Sequence, residues 1–247
     1  MKTENLVSRQ FDASTLAMAL KKGWVIFILT RPISVSFSMI FALIGLLILI
    51  GIEQAGIAPM MLPVAGGFML IGPLLLSGFF SISDRLYADE VPVFADIVSG
   101  FSRLNREMLA LGLVCMLLFM IWMTDAATLY GFIVGRTPTY LMALLPPPES
   151  VWSFVIWSSI IGAVLAFVIF AVSAFSVPLL YYRRAPLVRA VVLSVRTVFS
   201  NLFPSLLWAF LLASSMIASI LILPLFLITF PVLAFASHSL YREIFPD

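Results

Sequence analysis

Two residues stand apart chemically from their surroundings in this 247-residue chain: His238, its single histidine, and Asp125, a carboxylate set in a long apolar stretch. An imidazole can ligate a metal or relay a proton, and either role needs partners. His238 has no second imidazole to work with and no carboxylate within a helical turn, while Tyr241 follows three residues later. It reads first as a hydrogen-bonding residue near the inner end of a membrane helix. Asp125 is the better functional candidate, because a carboxylate in or beside a membrane span is costly unless hydrated or paired. The plainer reading is that it ends its span at the outer interface. Glu53 reads as a turn residue. Arg183, Arg184, Arg189 and Arg196 form a basic group able to contact anionic lipid headgroups, each worth on the order of 1 kcal/mol near the surface. The same charges would serve equally to fix topology.

Other chemistry is missing from the pattern. Cys115 is alone, so an intramolecular disulfide is impossible and a structural zinc site lacks ligands. Gly66-Gly67 sits among apolar residues without the lysine of a phosphate loop, and no metalloprotease helix or nucleophile elbow occurs. No cofactor or metal is expected, and nothing specifies an enzyme. Pro73, Pro178 and Pro231 fall toward the same end of three apolar runs. Such prolines border substrate sites in some transporters, but a simple kink explains them as well.

The elements that hold these residues are set by composition. Hydrophobic residues make up 62% of the chain and charged ones 11%, against roughly 25% charged in soluble domains. With a mean hydropathy of +1.15, this is an all-α polytopic membrane protein. A net charge of +2, unclustered, gives no footprint for nucleic acid.

The last third shows the plan best. Tyr181-Tyr182-Arg183-Arg184 and Pro186 open it, an apolar-faced segment runs from Leu187 to Ser200, and a nearly charge-free run follows from Leu202 to Ser237. As one helix, Pro204 to Ser237 would extend about 50 Å, far more than the roughly 30 Å hydrocarbon core. It is read as two spans in a hairpin. The same plan appears earlier: a polar tail over 1–12, then a single membrane domain over 13–247 built of units 13–87, 92–184 and 186–246. Each unit is a surface helix followed by a hairpin, giving six spans: 33–52, 59–81, one beginning near Met108, 154–178, 202–222 and 224–240. The third span ends at Thr124 or continues past Asp125 to Val134. The first is read as retained, since Arg31 and Pro32 interrupt the pattern of a cleavable signal.

The surface helices carry apolar stripes at helical spacing. These are Leu16, Leu20, Trp24 and Phe27 in the first; Phe94, Ile97, Val98, Phe101 and Leu104 in the second, with Asp96 off the stripe; and Leu187, Val191, Val195, Val198 and Phe199 in the third. Aligning Pro92 with Pro186 brings Gly100 onto Ser194, and aligning Pro73 with Pro231 brings Asp84 onto Arg242. The apolar connection over 125–150 is expected to rest at the outer interface. If all hairpins begin and end on one face, that face holds every Lys and Arg except Arg136. The positive-inside rule then makes both termini and the surface helices cytoplasmic.

The chain also resembles a family of bacterial predicted integral membrane proteins, grouped as a domain of unknown function, some of whose members are labelled putative cytochrome c oxidase subunits. The likeness rests on Gly23, Trp24 and Pro32, on Pro63 to Phe68 with Gly72-Pro73-Leu74, and on Phe175 to Leu180. It continues through Ala190, Ser194, Asn201 and Trp208 to Pro231-Val232-Leu233 and the ending His238, Tyr241, Arg242. Where members of that family tend to carry extra polar residues before this ending, Phe235-Ala236-Ser237 stands here. The resemblance implies the bacterial cytoplasmic membrane and carries no established activity. One histidine excludes a haem–copper catalytic subunit, whose ligands are separate imidazoles. The expected role is a non-catalytic accessory, assembly or scaffolding component of a membrane complex, respiratory complexes included, in contact with membrane lipids. The alternative is a transporter or channel for a small or lipid-like solute.

Overall fold

The computed structural model describes residues 8–135, 138–144 and 146–246, with the side chains of residues 66–74, 143 and 220–221 outside that description. Lys2, Arg136 and the side chain of Pro73 therefore lie outside the described residues. The elements are helical: α1 (Ala13–Leu29), α2 (Arg31–Gln54), α3 (Met61–Tyr87), α4 (Phe94–Ser102), α5 (Arg106–Ile133), α6 (Glu149–Ser173), α7 (Ser176–Tyr181), α8 (Leu187–Ser200), α9 (Leu202–Leu221) and α10 (Leu223–Ile244). Among the described residues, five stretches are long and apolar enough to cross a membrane: Arg31–Gln54, Arg106–Ile133, Glu149–Tyr181, Leu202–Ser219 and Leu223–Ile244.

Local chemistry sets the helix starts. Asp12 caps α1 by accepting from the Thr15 N–H at 2.9 Å and the Ser14 hydroxyl at 2.7 Å. These bonds, led by that from Ser14, hold its carboxyl down to about 2. Asn105 caps α5 through the Met108 N–H at 2.8 Å, and its amide donates to the Leu180 carbonyl at 3.1 Å. One side chain thus closes the start of one helix and the end of another.

The ends of α3 and α7 share one device. Asp89 and Arg183 are left-handed, with φ of 56° and 53°. Just beyond them the Glu90 N–H returns to the Arg85 carbonyl at 3.0 Å, and the Arg184 N–H to the Leu179 carbonyl at 2.9 Å. Both are Schellman closures built without glycine, and in each a proline, Pro92 or Pro186, follows three residues later.

The three short helices pack on the long ones at positions of little or no side-chain bulk. α1 lies along α10, α4 along α3, and α8 against α6 and α7. A Cβ on Gly23 would lie 2.7 Å from the Val232 carbonyl oxygen and the Ala236 nitrogen. One on Gly100 would lie 2.4 Å from the Ser77 carbonyl oxygen. At the third contact the Ser194 hydroxyl accepts from the Phe175 N–H at 3.1 Å and donates to the Ala171 carbonyl at 2.7 Å. It stands where the backbone bond from residue 175 to residue 171 would have been. This insertion, with Pro178 unable to donate, breaks the rod into α6 and α7.

The buried stripes accordingly differ from those the periodicity indicates. In α1 the buried residues are Leu16, Ala19, Gly23, Ile26 and Phe27, while Trp24 is exposed. In α4 they are Asp96, Ile97 and Gly100, with Phe94 and Val98 exposed. In α8 they are Ala190, Ser194, Thr197 and Val198, with Phe199 exposed. Small and polar residues face protein because helices in lipid gain little from hiding apolar surface and associate by close contact and hydrogen bonding. Large apolar side chains then turn outward.

Of the two ends the sequence allows for the helix that holds Met108, the longer is found: α5 runs unbroken past Asp125 to Ile133. The connection after it is pinned by an isolated bridge between Ile57 and Thr139 and by Glu53, which accepts from the Leu141 N–H at 3.0 Å. Glu53 thus holds the connection between α5 and α6 in addition to sitting near a turn. α2 packs chiefly on α10 rather than on its sequence neighbour α3. Phe37, Phe79, Phe230 and Phe235 interlock across α2, α3 and α10, with Phe79 meeting the rings of Phe230 and Phe235 edge-on at 5.2 and 5.3 Å.

Gly100→Ala is expected to destabilise the protein by about 1–3 kcal/mol, since the clash is with backbone. Arg183→Gly should leave stability unchanged or raise it, because a non-glycine left-handed residue costs roughly 1–2 kcal/mol. Thermal denaturation in detergent compares the two directly, and a neutral Gly100→Ala would contradict the crossing geometry.

Candidate functional site

Asp84 is the centre of the polar cluster at one end of the bundle. It lies in the last turns of α3, where Tyr182 from the end of α7 and His238 from α10 converge on it. The Tyr182 hydroxyl is 2.7 Å from Asp84 Oδ1 and 2.7 Å from His238 Nε2, while Nε2 and Oδ1 are 3.9 Å apart. The Arg103 guanidinium, just after α4, donates to Asp84 Oδ2 at 3.2 Å and to the Tyr181 hydroxyl at 3.4 Å.

Hydrogen counting fixes the direction of this chain. Burial, assisted by the Asp84 charge, pushes the Tyr182 phenol far above its ordinary value, so it keeps its proton. Its single hydrogen goes to the Asp84 carboxylate, which can only accept. His238 must then donate from Nε2 to the Tyr182 oxygen, which fixes the tautomer and leaves Nδ1 as an acceptor. His238 is fully buried, and Nδ1 has no hydrogen-bond partner among the described residues. Phe80, Tyr87 and Tyr182 surround the ring at centroid distances of 5.1 to 6.1 Å.

Further contacts extend the layer. Tyr182 stacks on Tyr241 with centroids 5.7 Å apart and planes 4° from parallel. The Arg242 guanidinium lies 4.2 Å above the Tyr87 ring. Arg184 donates to the carbonyls of Phe245 and Pro246 at 2.5 and 2.8 Å, closing the end of α10. Arg85 joins Asp96 at 3.0 Å and Glu90, and Lys22 of α1 pairs with Glu243 of α10. Asp96 is buried by this pairing and by its bond from the Val93 N–H at 2.8 Å.

Of the residues singled out in the sequence, His238 sits at the heart of this layer. Arg184 is committed to the C-terminal carbonyls, Arg183 and Arg196 are exposed, and Arg189 is half-buried. Asp125 lies elsewhere, exposed on α5. Asp84, Tyr182 and Arg103 were not singled out as functional. They are 98, 56 and 19 residues from the partners they meet, a separation no local spacing rule can bridge.

Among the described residues, no group of three or more His, Cys, Asp or Glu side chains could hold a metal ion. Among the described residues, three apolar chambers run along the bundle. An outer one of about 670 Å³ opens beside Glu53 and Leu144. A middle one of about 160 Å³ lies at Trp122 and Gly162. An inner one of about 120 Å³ reaches Phe230 and Ser237. Only the outer chamber has an ionisable wall residue, Glu53 at its mouth.

Tyr182→Phe removes the middle link and leaves the Asp84 oxygen and His238 Nε2 short of a partner. The expected loss is about 1–3 kcal/mol of stability, whereas Asp125→Asn should shift melting little. Equal melting of wild type and Tyr182→Phe would show that the relay carries no stability.

No curated protein and no solved structure matches the chain. Residues 61–181 match a family model described as "Predicted integral membrane protein (DUF2189)", a description with no oxidase assignment. The motifs at Pro63 to Leu74 and Phe175 to Leu180 fall inside the match, whereas Gly23, Trp24, Pro32 and the residues from Ala190 onward fall outside it. Over residues 61–181, which contribute Asp84 and Arg103 to the polar layer, the chain is similar to this family of predicted integral membrane proteins.

Proposed function

We propose that the protein is a non-catalytic six-span scaffold or assembly component of a larger membrane complex. The observation that carries this reading is the separation of polar groups from cavities. The charged and histidine side chains of the inner layer bind one another and the ends of neighbouring helices, while the middle and inner chambers have no ionisable wall residue. Carriers of ions or polar solutes place such groups where cargo passes.

In this reading α2, α3, α5, α6 with α7, α9 and α10 are the six spans, and α1, α4 and α8 lie at the cytoplasmic surface of a bacterial inner membrane. Three units follow: α1 to α3, α4 to α7, and α8 to α10. Each surface helix packs on the last span of the preceding unit, and α1 closes the ring on α10. The positive-inside rule places the arginine-rich layer in the cytoplasm. Arg183, Arg189 and Arg196 there meet lipid headgroups. Outward residues such as Leu47, Leu113, Leu117, Phe203 and Phe210 are 62 to 76% exposed, ample apolar surface for lipid and a partner span. A respiratory complex is one class of host.

The second reading, a carrier of a lipid-like solute, has the apolar chambers in its favour. Gentle extraction from native membranes distinguishes the two. A protein partner in fixed stoichiometry, whose complex is depleted when the chain is deleted, is the expected outcome. A solitary protein whose reconstitution gives solute flux abolished by Asp125→Asn would overturn the scaffold reading. For topology, reporters placed after Asp247 and near Gln54 should lie on opposite sides; finding the C-terminus outside would sink the six-span arrangement.

A further inference from the structure

The three chambers are parts of one cleft. The outer and middle chambers share Leu62 and Ile217 in their walls, and the middle and inner ones share Ala166 and Met216. α6 packs on α3, α5 and α8, while α9 packs on α3 and α10. The cleft follows the gap these helices leave between α6 and α9, with Leu62, Pro63 and Leu76 of α3 among its described wall residues.

One polar group in its wall is unsatisfied. Trp122 is 94% buried, and its indole Nε1–H has no acceptor among the described residues. The Nε1 side of the ring, through Cζ2, Cε2 and Nε1, lies against Gly162, where a Cβ would come within 2.8 to 3.1 Å of these atoms. The absence of a side chain at Gly162 is therefore what lets the indole sit in the middle chamber. A buried donor without an acceptor is costly. Water suits the place poorly, since it needs two to four polar partners and the wall is largely apolar. An occupant must be long, narrow and apolar, with one hydrogen-bond acceptor at the level of Trp122.

We infer that this cleft is a binding site for an ester-linked acyl lipid of the outer leaflet, one acyl chain lying between α6 and α9 and an ester carbonyl accepting from Trp122 Nε1. The inference rests on the membrane-spanning reading and goes beyond the scaffold role. Trp122 lies one turn before Asp125, about 4.5 Å along α5. With Asp125 at the outer interface, the indole stands close to the depth of lipid ester groups, a level where tryptophan is favoured. The wide outer chamber leaves room for the glycerol and headgroup, and the narrower middle and inner chambers admit a single chain.

The test uses the full chain in phosphatidylethanolamine–phosphatidylglycerol vesicles, doped with phosphatidylglycerol bearing a diazirine on one acyl chain, in ester- and ether-linked forms. Saturable labelling of α6 and α9 near Gly162 and Met216 is expected, with the ester form preferred roughly two- to tenfold, the range of one hydrogen bond. Trp122→Phe, which keeps the ring but not the donor, should bring that preference close to unity. Ala213→Phe should suppress labelling by about fivefold without lowering the melting temperature; if it does not fold, Ala163→Phe on the facing wall serves the same purpose. Labelling that is no stronger than on the outward faces around Leu47 and Leu113, or that persists in the filled variants, would overturn the site. So would labelling displaced by a co-purified protein. Reporter topology, measured separately, tells a failed site from a failed spanning arrangement.

Discussion

Backbone-to-backbone approach at three helix crossings is the constraint on which the other contacts depend. Helices in hydrocarbon gain little by burying apolar side chains, since lipid is equally apolar, so contact must be won by proximity. Gly23 and Gly100 achieve it by having no side chain where a Cβ would strike backbone at 2.7 or 2.4 Å. Ser194 achieves it by replacing a backbone hydrogen bond with two of its own. A leucine at any of these sites would push a short helix away from the long one beneath it. Arg103 and Lys22, carried on or just after those short helices, would then lose their reach to Asp84 and Glu243.

The polar layer is the second consequence of that approach. Charged groups at the end of a membrane helix are tolerable when each has a partner, and here the partners come from different parts of the chain. Asp84 accepts from Tyr182 and Arg103, Asp96 from Arg85 and the Val93 N–H, and Arg184 donates to the carbonyls that end α10. Because Tyr182 has one proton and Asp84 needs it, His238 is held as a donor from Nε2. An imidazole so placed is a buried, hydrogen-bonded member of the layer.

Helix identity was legible in the sequence because apolar run length and helix-cap chemistry are local properties. Asp12 and Pro186 mark starts that the structure places one residue on, at Ala13 and Leu187. The facing of the short helices was not legible. Phe94 and Val98 on α4, and Phe199 on α8, satisfy a helical period that in a soluble protein would point to the core. In lipid the same period points outward as readily, and the inward face is written in Gly100, Ser194 and Ala190 instead. The alignment of Gly100 with Ser194 did carry that signal, but similarity between a glycine and a serine does not reveal that both lie at a crossing. Asp84 was visible only as the position that aligns with Arg242 between two of the units. Its partners Tyr182 and His238 are distant in sequence, and their convergence follows from packing that no spacing rule encodes.

The two ends of the bundle are built on different principles, and that difference bears on function. At the inner end, polar side chains link α3, α4, α7 and α10 directly, so displacement of one helix breaks bonds to several others. At the outer end the described polar ties are few: Glu53 to Leu141 and the bridge from Ile57 to Thr139 hold the connection, while Ser219 meets Thr229 within the last pair of spans. None of these ties joins α6 to α9. A bundle fastened at one end and apolar along its open seam can vary the width of that seam without disturbing the layer that sets its architecture. An acyl chain filling the seam would supply the dispersion contacts that direct helix packing supplies elsewhere. Polar ties at one end and an apolar seam along the rest are therefore complementary answers to one problem, that of holding the bundle together with few hydrogen bonds and little gain from burial.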